Sequence, residues 1–178
     1  LTALALLANK RFRFDPRLRG ERETISMAPH IMGRTPWDRA QAWAINPDAG
    51  YHHCGRTLRE AFHATRWRGI DSDRHVIFAG NAAVPLKGIH VLLEALVLLR
   101  RQYPDARLVI AGERPGAQAS RFKRLVGYPA YLTDRIRQLG LESQVEFTGV
   151  LGADEMAARM ARSHVYAMAS VIENSPNT

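Results

Sequence analysis

An α/β fold, with a parallel sheet covered by helices on both faces and part of a second α/β domain before it, follows from three observations in this 178-residue chain. Four short apolar runs, His75–Ala79, Arg107–Ala111, Val145–Thr148 and His164–Met168, alternate with helix-like segments, the pattern of strands joined by crossovers. The helix between the first two runs, Ile89–Tyr103, carries apolar residues well beyond one face: Leu92, Leu96, Leu99 and Tyr103 form a stripe that Val91, Leu93, Val97 and Leu98 widen, as a helix packed on a sheet requires. Three of the runs lead into glycine, at Gly80, Gly112 and Gly149. In such sheets the ligand crevice lies outside the carboxyl ends of the strands. The rule gathers Gly80–Gly88, Gly112–Gly127, Gly149–Gly152 and Ala169–Thr178 at one edge.

Composition bounds the rest. Hydrophobic residues make up 46% and charged residues 24%, a globular balance. Lys and Arg number 25 against 17 Asp and Glu, for a net charge of +8, and all but three of the cations are arginine, the better fork for phosphate and carboxylate. That excess fits nucleic acid, an anionic membrane surface or a phosphorylated small substrate. The single cysteine, Cys54, excludes an internal disulfide framework and paired-cysteine zinc sites, and suits a reducing compartment. No apolar run reaches the roughly 20 residues of a membrane-spanning helix. The chain opens without methionine inside an apolar run, Leu1–Ala8, and is expected to be an interior piece of a longer protein.

Before the repeated units, Arg11-Phe12-Arg13-Phe14 alternates with period two and predicts an extended segment, in which stacking on single-stranded bases is the functional alternative. A short helix over Glu21–Ala28 stops at Pro29. His30–Met32 predicts a strand, Asp38–Ile45 a helix, Asn46–Gly50 a turn and Tyr51–Cys54 a strand. On that strand His52 and Cys54 share a face and His53 points away, so no metal site is expected. A helix-like segment runs from Leu58 to Trp67, and the polar stretch Arg66–Asp73 is the expected linker. Further on, Tyr131–Leu139 predicts a helix capped by Gly140, and Ala153–Arg162 one whose Met156 and Met160 belong to the core.

No Walker loop, no GxGxxG and no serine elbow is present. What remains is Lys87 before a helix start, where amides and the positive helix end favour an anion, and Glu173 after the last strand. The series Gly-x4-Pro-x-Lys-Gly, Leu-Val-Ile-Ala-Gly, Val-Glu-Phe-Thr-Gly and Ile172-Glu173-Asn174-Ser175-Pro176-Asn177 resembles the donor-binding half of the retaining group 1 glycosyltransferases, whose two-domain architecture is called GT-B. The resemblance covers His75–Thr178. More weakly, Gly33-Arg34-Thr35 with Trp37-Asp38, Asn46-Pro47 and Tyr51–Arg59 is similar to the end of the preceding acceptor domain in a bacterial branch of that family.

The resemblance implies a Rossmann-like donor domain over 71–178, truncated at its C-terminus, after the end of an acceptor domain and linker over 1–70. It implies transfer of a sugar from a nucleotide-diphosphate-sugar to a glycan or lipid-linked acceptor, with retention, in the cytoplasm or at the inner face of the membrane. Lys87 would neutralise the diphosphate, aided by Gly88, Gly80, Asn81 and the following helix start. Gly149 and Val150 would lie against the nucleobase, where a side chain at 149 would intrude. Glu173 would hold sugar hydroxyls as the catalytic carboxylate, with backbone amides around Ser175 to Asn177 reaching the sugar and phosphate in a donor-binding stretch made of Asn174, Ser175, Pro176 and Asn177. Neither metal nor cofactor is implied. The family's second glutamate would fall beyond Thr178, and Asn81 stands where the family usually has arginine, leaving phosphate charge to Lys87 and Arg114. The fragment itself is expected to be inactive. An epimerase or phosphorylase of the same fold, and a non-catalytic nucleotide-binding module, are the alternatives.

Overall fold

The computed structural model describes residues 7–80, 84–114 and 127–172. They fall into two compact units, with the boundary between Thr57 and Leu58. No described helix is long and apolar enough to cross a membrane.

In the first unit a π-helical turn, Lys10–Phe14, runs directly into α1, Asp15–Met27. The expected extended segment at Arg11–Phe14 is therefore helical. Alternation alone cannot hold a strand without a partner, and Lys10 Nζ pairs with the Asp15 carboxylate at 3.1 Å, five residues on, a spacing that suits the wider turn. α1 begins six residues earlier than expected, with Pro16 in its first turn where a missing N–H costs nothing. It ends where Ala28, forced out of helical geometry by Pro29, turns extended.

Strand β1, His30–Gly33, pairs in parallel with β2, Gly50–His53. Between them α2, Pro36–Trp43, starts on a reciprocal cap: the Thr35 hydroxyl accepts from the Asp38 amide at 3.1 Å, while the Asp38 carboxylate accepts from the Thr35 amide at 3.2 Å. Asn46 donates to the carbonyls of Ile25 and Ala28, each at 3.0 Å, and ties the turn after α2 to the end of α1. Thr35, Asp38 and Asn46, three residues of the weaker family resemblance, thus have local structural duties. His52 hydrogen-bonds His30 across the pair at 3.1 Å. No group of three or more metal-ligating side chains occurs among the described residues.

The second unit opens with a short helix, α3, Glu60–Ala64. Four parallel strands follow, β3 Asp73–Gly80, β4 Arg107–Ala111, β5 Val145–Phe147 and β6 Ser163–Ala167, in the order β5-β4-β3-β6. Helices α4, Ile89–Leu99, α5, Gly127–Gln138, and α6, Ala153–Arg162, connect them. Strand alternation sorts the core into two layers. Ala79, Leu108 and Ile110 meet Ile89, Leu93 and Leu96 of α4 and Leu132 and Ile136 of α5 on one face. Val76, Phe78, Val109 and Ala111 meet Met156 and Met160 of α6 on the other, so both methionines are core. A parallel sheet covered on both faces is the expected architecture.

Two elements differ from the sequence-based expectation, and one cap agrees with it. α4 stops at Leu99, four residues short of Tyr103, because the amides of Arg101 and Gln102 turn back on carbonyls three residues away. Its buried stripe is Ile89, Leu93 and Leu96, while Val91 and Leu98 remain exposed. Inside β3, His75 adopts φ +61° at a register shift against β6, an irregularity a strand pattern does not announce. Gly140, at φ +63°, caps α5 as expected: Leu141 N–H reaches the Ile136 carbonyl and Gly140 N–H that of Arg137, and both Ile136 and Leu141 lie in the core.

Candidate functional site

The carboxyl ends of β3, β4, β5 and β6 lie along one edge, and glycine ends or follows the first three of them, at Gly80, Gly112 and Gly149. Gly112 and Gly149, after β4 and β5, exchange two backbone hydrogen bonds of 2.9 and 3.1 Å. Both have positive φ, +116° and +76°, a conformation only glycine adopts without strain. A Cβ built on Gly149 meets no protein atom within 4 Å, so the backbone angle demands glycine there and the space beside it is open. Val150 follows with 80% of its surface exposed.

The loop after β3 makes the tightest approach. A 3-10 turn, Pro85–Lys87, delivers Gly88 at φ +69° as the residue before α4. A Cβ on Gly88 would sit 2.0 Å from the Ala169 carbonyl oxygen and 2.9 Å from the Ala169 Cβ. Nearby, Val171 N–H donates to the Leu86 carbonyl at 2.9 Å. The loops after β3 and β6 are therefore docked backbone to backbone, and this places half-buried Lys87 beside the start of α4. The first intrahelical bonds reach Gly88 from Val91 and Leu92, so the amides of Ile89 and His90 precede them. A cation, early helix amides and the positive helix end converge there, an arrangement that stabilises an anion.

Gly80 ends β3, and a Cβ on it would approach the Tyr166 hydroxyl to 3.2 Å. Asn81, Glu173, Asn174, Ser175, Pro176 and Asn177 lie outside the described residues. Arg114, the expected second phosphate cation, has its guanidinium 5.6 Å from the ring centre of Phe147.

Two features escape the motif series. The Ser170 hydroxyl, on the loop that lies against Gly88, is buried without a partner among the described residues, a costly state for a polar group. At the starts of α4 and α5, His90, Tyr128 and Tyr131 form an aromatic cluster: His90 Nδ1 and the Tyr128 hydroxyl are 3.2 Å apart, and the tyrosine rings lie 6.1 Å apart. Burial, first among the causes, pushes the Tyr128 hydroxyl pKa above the usual phenol range. A histidine two residues after Lys-Gly and tyrosines three apart opening a helix are the signals that point to this cluster. Deeper along the same helices, Glu94 accepts from Arg135 Nε at 2.6 Å and ties α4 to α5.

Comparison with known proteins decides the family. The profile described as "Glycosyl transferases group 1" matches residues 65–177. The chain belongs to the group 1 glycosyltransferases. Among curated relatives, this group 1 chain is 34% identical over 96 residues to the GDP-mannose-dependent alpha-(1-6)-phosphatidylinositol monomannoside mannosyltransferase of Mycolicibacterium smegmatis, a match covering 54% of the chain and 22% of that protein. Two solved structures share its fold: Anabaena HepE in complex with UDP and glucose, with TM-score 0.66, 18% identity and coverage of 86% of this chain and 41% of that one, and the sucrose-phosphate synthase of Thermosynechococcus elongatus, with TM-score 0.63, 17% identity and coverage of 92% and 40%. The glycosyltransferase sequence here thus spans about a fifth of the curated relative and two fifths of these structures. Its second unit has the sheet and helix arrangement of the donor half of a GT-B fold.

Proposed function

We propose that the longer protein containing this chain transfers a sugar from a nucleotide-diphosphate-sugar to a glycan or lipid-linked acceptor, with retention, and that the carboxyl edge of the second unit is its donor site. The observation that carries the reading is the docking of the Lys87–Gly88 turn against Ala169 at the start of α4, which fixes a cation and a helix N-terminus at one point of the sheet edge. Departure of a nucleoside diphosphate builds negative charge, and a positioned cation with helix amides stabilises that charge without requiring a metal.

In this reading Lys87 and the amides around Gly88 hold the diphosphate, with Gly80 and Asn81 beside it. Gly149 and Val150 form the nucleobase side, where open space and an exposed Val150 leave room for a planar ring. Glu173 binds sugar hydroxyls, and the backbone of Asn174–Asn177 surrounds sugar and phosphate. The relative named for GDP-mannose and for a phosphatidylinositol acceptor makes a guanosine-linked mannose the first donor to test and a lipid-linked sugar the first acceptor. A lipid-linked acceptor in turn favours peripheral contact with a membrane. The test is transfer from GDP-mannose and from UDP-glucose by the longer protein, with the anomeric configuration of the product read by proton NMR. Transfer with the donor's configuration preserved supports the reading. A protein that epimerises or hydrolyses the donors without transfer to any acceptor contradicts it.

A further inference from the structure

His90 stands two residues after Gly88, in the first turn of α4. Side chains in a helix lean toward its N-terminus, so the imidazole leans toward the point where Lys87 and the positive helix end converge. Tyr128 opens α5, the helix that follows β4, and its hydroxyl lies 3.2 Å from His90 Nδ1. The two rings meet edge to face with centres 5.9 Å apart. Burial raises the Tyr128 pKa and the His90 backbone amide, the second cause, lowers it, so that amide is turned to the same phenolic oxygen.

A phenol that keeps its proton and accepts from the amide directs that proton to Nδ1. With Nδ1 accepting, the ring carries its own proton on Nε2. Nε2 has no hydrogen-bond partner among the described residues. The pair is not needed to join the two helices: Glu94 with Arg135, and the buried Leu93 and Leu96 with Leu132 and Ile136, already do so.

We propose that His90 is a further donor-site residue, whose Nε2–H hydrogen-bonds a phosphate oxygen of the nucleoside diphosphate at the start of α4 while Tyr128 fixes its tautomer. The inference rests on the donor-site reading and deepens it, adding an oriented N–H donor beside Lys87. A donor already aimed costs no reorganisation when charge develops on the departing diphosphate.

The experiment is calorimetric titration of GDP, UDP and inorganic pyrophosphate into the longer protein that contains this chain. His90→Phe keeps the ring contacts and removes both nitrogens, and should weaken binding about tenfold or more, as loss of a hydrogen bond to a charged group does. His90→Gln, whose side-chain amide N–H stands as far from the backbone as Nε2–H, should stay within about threefold of the parent. Tyr128→Phe releases the tautomer and should weaken binding by about threefold. Glu94→Gln loosens the same helix pair farther from the site and should change binding by less than about twofold. Urea unfolding verifies that each variant is folded, and proton–nitrogen NMR should find His90 protonated at Nε2 in the parent. The proposal is overturned if folded His90→Phe binds as the parent does, if His90→Gln loses as much as His90→Phe, or if the parent carries the proton on Nδ1 alone. Lys87→Ala separates the two readings. Diphosphate binding that needs Lys87 but not His90 removes this inference and leaves the donor site standing, whereas binding that needs neither, or no binding by the folded protein, removes both.

Discussion

The two edges of the second unit's sheet are built by opposite means. At the amino edge side chains stitch the strands together. His75 Nδ1 donates to the Asp105 carboxylate at 2.8 Å, the Trp67 indole donates to the Ser163 carbonyl at 2.9 Å, and Arg162 reaches Asp73 at 3.2 Å. At the carboxyl edge glycines and backbone hydrogen bonds set the path: Gly112 bonds Gly149, Val171 bonds Leu86, and Gly88 lies on Ala169. Side chains spent on stitching fill the space they join. An edge shaped by backbone is fixed in position yet keeps room for a ligand, as the open space beside Gly149 shows, which is why the functional reading belongs there.

The largest expected effect strikes the backbone-built edge. Gly88→Ala combines a left-handed backbone angle with a Cβ 2.0 Å from the Ala169 carbonyl oxygen, and should destabilise the unit by about 3 kcal/mol in urea unfolding. Gly149→Ala meets the strained angle without the clash and should cost about 1 kcal/mol. If the two glycines cost the same, the docking of the two loops is not what requires Gly88. On the stitched edge, Trp67→Phe removes one hydrogen bond and should cost about 1 kcal/mol while leaving nucleotide binding unchanged.

A subtler contrast is pH dependence. The hydrogen bond from His75, the largest cause, holds the Asp105 carboxyl below its ordinary value of 3.8. A depressed folded-state pKa means that this stabilisation is present above the unfolded value and lost as pH falls through the folded one. Asp105→Asn should therefore flatten the acid limb of the stability curve, measured by thermal melts from neutral to acid pH. The smallest effect concerns Ser170: its hydroxyl is buried without a partner among the described residues, so Ser170→Ala should leave stability unchanged or raise it by up to about 1 kcal/mol. A loss instead would mean that the hydroxyl has found a partner.

The sequence made the stitched and open edges unequally legible. β4 and α6 match their expected bounds because turn residues enclose them, Pro104 and Gly112 for the strand and Gly152 before the helix. The glycines of the open edge were legible as turns. Their reasons were not, since the approach of Ala169 to Gly88 joins residues some eighty positions apart. The amino-edge contacts were hidden for the same reason, because Trp67 with Ser163 and His75 with His164 are tertiary pairs with no local pattern. At Arg11–Phe14 the local pattern itself misled: period two was present, but the Lys10–Asp15 pair and Pro16 in the first turn of α1 belong to a helix.

The most direct test of the account is a calorimetric titration of GDP and UDP into this chain, its Lys87→Ala variant and its Trp67→Phe variant. The account predicts saturable binding of at least one diphosphate, weakened about tenfold or more by Lys87→Ala, as loss of a charge-assisted contact should do, and unchanged by Trp67→Phe. Binding that Lys87→Ala leaves intact, or no binding by a chain whose second unit is folded, would contradict a diphosphate site at the start of α4.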